Sequence, residues 1–146
     1  MKAVTFHVPG KPQGKARART FYNKNVGHST SYTPEKDLLY ENFIKNQYLN
    51  SCSDTFFERG TPVTLSIVAR FLPPQSKSKK VKQQMLSGQI LPLKKPDMDN
   101  IVKVVADALN GVAYHDDTQI VCVAAKKVYS AVERLDITVG EYIDGR

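Results

Sequence analysis

The chain has 146 residues, 41% of them apolar, which suits one compact domain with an ordinary core and excludes global disorder. No run approaches the ~18 apolar residues of a membrane span, and residues 1–6 alternate like a strand rather than forming a signal peptide. The formal net charge of +7 favours polyanionic partners, of which nucleic acid is the commonest.

In chain order, residues 3–8 predict a first strand, stopped by Pro9-Gly10. The stretch from there to residue 32 carries Lys11, Lys15, Arg17, Arg19 and Lys24 with no acid, and Phe21, Tyr22 and Tyr32 interleave with it. It reads as a long mobile loop. Thr33-Pro34-Glu35 has the chemistry of a helix start: a cap, a proline at the first helical position, then an acid. Leu38, Leu39, Phe43, Ile44 and Tyr48 carry the helical period to about residue 48.

Residues 63–71 alternate as a strand that Pro73-Pro74 ends. Residues 76–96 hold Lys77, Lys79, Lys80, Lys82, Lys94 and Lys95 and no acid, with a short helix capped by Ser76 or Ser78 before Gly88. A further helix follows Asp99, with Ile101, Val104, Val105 and Ala108 on its apolar face and Gly111 as its stop. Residues 119–129 and 133–139 read as two last strands, paired antiparallel. The order implies a single domain over 1–146, an α/β (α+β) fold with a four-stranded mixed sheet and helices packed on it.

Charge is unevenly placed. Residues 1–50 carry eight basic and three acidic side chains, residues 51–95 eight and two, and residues 96–146 five and nine. Cys52 and Cys122 lie 70 residues apart without zinc spacing, and read as reduced cytosolic thiols.

The acidic third contains Lys95-Pro96-Asp97-Met98-Asp99-Asn100-Ile101-Val102-Lys103, then Asp107, then His115-Asp116-Asp117-Thr118-Gln119-Ile120. Asp99, Lys103 and Asp107 stand four apart, on one helical stripe. A short reversal returns Asp116 and Asp117 toward the same helix. Carboxylates brought together at neutral pH need a cation or raised pKa values. Oxygen donors suit Mg²⁺, and a carboxylate-held metal beside a lysine suits phosphodiester chemistry. Taken singly, the same residues have plainer readings: Asp97 or Asp99 as a helix cap, Asp116-Asp117 as a turn, Lys103 as a solvated partner of Asp99 and Asp107, His115 as a turn histidine.

The segment resembles the RusA family of Holliday junction resolvases. The resemblance rests on Lys-Pro-Asp-x-Asp-Asn-x-x-Lys-x-x-x-Asp-Ala-Leu-Asn-Gly followed by Asp-Asp-x-Gln-Ile, and more weakly on the basic turn at residues 10–17. It implies a homodimeric, Mg²⁺-dependent crossover junction endodeoxyribonuclease, with Mn²⁺ as a substitute, making paired nicks in branched DNA during recombination and repair. It places the catalytic and metal-binding acids at Asp97, Asp99 and Asp117, with Asp116 assisting, and the functional lysine at Lys103. Cytoplasmic location follows from that role. The segment 73–95 is an extended basic departure from the family pattern. Two arms are expected on DNA phosphates: Lys11, Lys15, Arg17 and Arg19, and Lys77, Lys79, Lys80 and Lys82. The competing classes are a non-catalytic branched-DNA-binding protein and a nuclease of structured RNA.

Overall fold

The computed structural model describes residues 2–15, 19–23, 27–32 and 35–144, with 19–23 and 28–32 as backbone. In order come β1 (Ala3–Pro9), β2 (Arg19–Asn23), β3 (His28–Tyr32), α1 (Glu35–Cys52), β4 (Val63–Phe71), α2 (Lys79–Leu86), α3 (Met98–Ala108), β5 (Ile120–Tyr129) and β6 (Arg134–Glu141). β1, β6, β4 and β5 form one mixed sheet in that order. This is the α+β architecture that the alternation of strands and helices predicts.

β4 is its spine. Val63, Leu65, Ile67, Ala69 and Phe71 are buried, while the residues between them are half-exposed, so the period of two puts one face on the core. α3 answers with Ile101, Val104, Val105 and Ala108, all buried as their spacing predicts.

Three expectations are corrected. β5 and β6 do not pair with each other: β5 runs parallel to β4 and β6 antiparallel to it, on opposite sides. The link between them crosses the end of β4, where the Ser130 amide donates to the Phe71 carbonyl at 2.8 Å. The basic stretch is not all loop, because β2 and β3 pair as an antiparallel hairpin from Arg19↔Tyr32 to Asn23↔His28. Its threonine and aromatic residues favour extended backbone, and Gly27 supplies a positive φ of 72° at the turn.

The third correction concerns α1, which runs on to Cys52 and buries Tyr40, Ile44, Tyr48 and Cys52, not Leu38, Leu39 and Phe43, which are exposed. The buried row has strict four-residue spacing, and its Tyr48 ring meets Phe6 of β1 edge-on at 5.3 Å. Thr33 and Pro34 lie outside the described residues.

Candidate active site

α3 begins at the acidic motif. Asp97 occupies the cap position in extended backbone, yet its side chain makes no capping hydrogen bond. Asp97 and Asp99 are both exposed at the positive end of the helix dipole, and among the described residues neither carboxylate has an ion-pair partner. The plain reading of Asp97 as a side-chain cap therefore fails.

Beside this helix start is a cleft of about 520 Å³, lined in part by Lys11, Gly14, Lys36, Lys95 and Asp97. Gly14 sets the fit of its wall. A Cβ there would lie 2.7 Å from the Asn100 Cβ and 3.1 Å from the Pro96 Cβ. The Lys15 amide next to it donates to the Asn100 carbonyl at 3.0 Å, tying the basic turn to α3. On the other side, the Lys127 ammonium donates to the carbonyls of Lys94 and Pro96.

At the far end of α3 the chain reverses at Gly111, whose φ is 79° and whose amide bonds the Tyr114 carbonyl at 2.8 Å. The buried Tyr114 hydroxyl donates back to the Ala106 carbonyl at 2.7 Å. Asp116 then caps a single 3-10 turn, Asp117–Gln119, accepting from the Thr118 amide. A hydrogen bond from the Thr118 side chain, and after it the one from the amide, hold its carboxyl below the usual carboxylate range. Asp117 is the perturbed acid. Burial raises its pKa, the charges of Asp116 and Asp107 raise it further, and Lys103 and a hydrogen bond with Asn110 oppose them.

Lys15 departs from the expectation of an unneutralised cation. Its ammonium lies 3.0 Å from Asp107 Oδ2 and 3.3 Å from Glu41 Oε1, and the side chain is 13% exposed. Burial disfavours the ammonium, but Asp107 and Glu41 outweigh it and raise its pKa. The acids come from α1 and α3, far away in sequence, so an acid-free local segment gave no sign of them. Lys15 is therefore a paired, largely buried cation that braces α1 against α3. Lys103 lies 3.5 Å from the same Asp107 oxygen but is 46% exposed. Lys11, Lys77, Lys79 and Lys80 are exposed and Lys82 half-exposed, as phosphate contact requires. Arg17 lies outside the described residues, and Arg19 is described only as backbone in β2.

A family model described as endodeoxyribonuclease RusA matches residues 9–140, a span that contains both ends of this site. The chain belongs to the RusA family. The uncharacterized protein YqaN of Bacillus subtilis (strain 168) is 32% identical over 143 residues, 97% of this chain and 98% of its own length. The crossover junction endodeoxyribonuclease rusA of Lactococcus phage r1t is 30% identical over 99 residues, 67% of this chain and 69% of its own.

The family's acids are placed in two groups rather than one. Asp97 and Asp99 stand at the start of α3, and Asp107, Asp116 and Asp117 at its end. Asp99 and Asp107 are separated by about 12 Å along the axis. Among the described residues no three His, Cys, Asp or Glu side chains are close enough to hold one ion. Asp117 is coupled in charge to Asp116, Asp107 and Lys103. The donor chemistry still suits Mg²⁺, which is commonly held by one or two carboxylates, with water and substrate phosphate completing its shell. Asp97 and Asp99 are two exposed carboxylates that could serve in this way.

Gln119 has a role that its side chain alone would not announce. Its amide nitrogen reaches the carbonyls of Phe57, Glu58 and Thr61 at 3.0–3.2 Å, and its oxygen accepts from the His115 and Asp116 amides. It pins the Asp116-Asp117 turn to the loop before β4. Gln119→Ala is expected to lower stability by about 1 kcal/mol, since the part-buried carbonyls of Phe57 and Thr61 lose a partner. Thermal melts measure this, and an unchanged melting temperature would show that water replaces the amide at no cost.

Proposed function

We propose that this chain is a divalent-metal-dependent endonuclease that nicks four-way DNA junctions as a homodimer, in recombination and repair in the cytoplasm. The observation that supports it most is the cleft in which Lys11, Lys36 and Lys95 face an uncapped Asp97. Three ammonium groups attract a phosphodiester, and a carboxylate in the same cleft serves phosphate binding only if a cation intervenes. Family membership and the likeness to the phage enzyme support the same substrate.

In this mechanism the lysines of the cleft bind and orient the DNA backbone, and the first amides of α3 point their positive dipole at it. Asp97 and Asp99 would hold Mg²⁺ or Mn²⁺, which when bound activates water and offsets charge on the phosphate. Lys103, one turn further along α3, neutralises a phosphate oxygen. Asp117, pinned by Gln119, lies on the same polar side of the helix end.

The deciding experiment compares junction DNA, linear duplex and structured RNA, each with Mg²⁺ and with chelator. Mg²⁺-dependent nicking of the junction in preference to the others is expected. Junction binding without nicking would favour the binding-protein reading, and RNA cleavage the other. Paired nicks also need two sites related by a two-fold axis. Light scattering at micromolar concentration should give about twice the chain mass of 16.3 kDa, and a strict monomer on and off DNA would remove the paired-nick mechanism.

A further inference from the structure

The cleft is not the only cationic surface. On the half-exposed face of the sheet, a histidine and two arginines from three adjacent strands meet one carboxylate. His7 of β1 lies 2.7 Å from Asp136 Oδ1, Arg70 Nε of β4 lies 2.6 Å from Oδ2, and Arg134 Nε of β6 lies 2.7 Å from Oδ1. The register explains the meeting: Asp136 is opposite both His7 and Val68, and Arg70 is opposite Arg134. Burial works against the Asp136 charge, but hydrogen bonds with Arg70 and His7 and the charge of Arg134 outweigh it, so its pKa stands below the usual range.

Neutralising one carboxylate needs one cation. Two guanidinium groups leave an excess of one positive charge even with His7 neutral. Both arginines address Asp136 through Nε, so that contact leaves their terminal nitrogens unused. Arg134 is held by charge alone, since its buried Nε has no hydrogen bond of good geometry. The neighbouring Glu133 carboxylate accepts from the Leu72 amide and does not sit on the pair. The two side chains are 33% and 36% exposed. An ion network serving stability alone would gain little at such exposure.

The patch also leads somewhere. Pro9 is paired with Arg134, and the Gly10 amide donates to the Glu133 carbonyl at 3.1 Å. Lys11, on the wall of the Asp97 cleft, follows two residues after Pro9, about 7 Å further along the chain. Lys11 and Arg134 therefore stand at the same end of the sheet.

We propose that Arg70 and Arg134, oriented by Asp136, form a second phosphate-binding site that holds a duplex arm of the DNA leading into the cleft. This rests on the nucleic-acid reading above. The Asp136 hydrogen bond fixes the plane of the Arg70 guanidinium, and its charge holds Arg134 alongside; a pre-set fork is what bidentate phosphate contact needs. Sequence could not disclose the site, because its members are 63 and more residues apart until the sheet forms, except Arg134 and Asp136.

The test is junction and duplex binding at several salt concentrations, with nicking assayed separately. Arg70→Gln with Arg134→Gln should flatten the slope of log affinity against log salt by about two units, at about 0.9 per phosphate. Arg134→Gln alone, which keeps the Arg70 and His7 bonds to Asp136, should flatten it by about one and guards against loss of fold in the double variant. Lys79→Ala, Lys80→Ala and Lys82→Ala together test the helical arm in parallel, with an expected change of two to three units. Arg134→Gln and the double variant running parallel to a wild type that nicks junctions would overturn the patch and leave the nuclease reading standing. A wild type that neither binds nor nicks DNA would overturn both.

Discussion

Asp97→Asn is expected to abolish Mg²⁺-dependent nicking while junction affinity holds or rises. The substitution keeps the shape of the side chain and removes its charge. Since Asp97 makes no capping bond, its loss costs the helix little, and melting should barely change. Removing a negative charge from a cleft that Lys11, Lys36 and Lys95 share strengthens its attraction for phosphate. Asp99→Asn should behave alike. Single-turnover nicking and equilibrium binding on one junction separate the two effects. Asp97→Asn nicking at the wild-type rate would sink the assignment, and a large drop in melting temperature would return Asp97 to a structural role.

Lys103→Ala should slow cleavage by about 10²-fold or more, the size expected when a group stabilises charge in the transition state. The ion pairs around it explain why rate rather than stability should suffer. Asp107 already has Lys15 at 3.0 Å, so Lys103, at 3.5 Å and 46% exposed, is the less committed partner. Losing a pair that exposed costs stability by no more than about 1 kcal/mol. Lys15→Met should then slow cleavage as well, because an Asp107 without its closer cation draws Lys103 inward. Adding Asp107→Asn should restore part of that loss. A double variant no faster than Lys15→Met would reduce the trio to scaffolding, and a Lys103→Ala enzyme at full rate would remove the lysine from catalysis.

Local periodicity made much of the fold legible. The alternation of β4 and the apolar stripe of α3 were readable because each is decided by one buried face. The Ser78 cap of α2 was readable for a similar reason, as its bond to the Val81 amide spans three residues. Strand neighbours were not. Nothing within residues 119–139 says that β6 slots between β1 and β4, because that choice depends on residues 3–9 and 63–71. The face of α1 misled because Leu38, Leu39 and Phe43 are the more apolar residues, yet Tyr40 and Tyr48 bring larger rings to the core. The motif residues were legible as chemistry, and the Asp117 carboxyl is pushed upward, by burial first and then by the neighbouring acids Asp116 and Asp107. Their division between two ends of a helix was not, since spacing in sequence fixes a stripe but not how far along it a returning loop docks. The brace from Lys15 to Glu41 and Asp107, and the Asp136 centre, join elements that only the finished sheet brings together.

The place of β6 also bears on when the protein can acquire its shape. Synthesis delivers β1 first and β4 next, but each waits for the same partner, and that partner is the last strand in chain order. Until residues 134–141 have emerged, β1 has no neighbour in the sheet, and one edge of β4 stays bare. Pairings spanning more than 130 residues, such as Ala3 with Gly140, carry a large loop-closure cost and slow the search. A nascent chain thus carries apolar, unpaired strand edges for most of its synthesis, a state prone to joining other chains. Ribosome-bound chains halted before residue 134 should accordingly be protease-sensitive throughout, and chains whose residues 134–141 have emerged should become resistant only slowly.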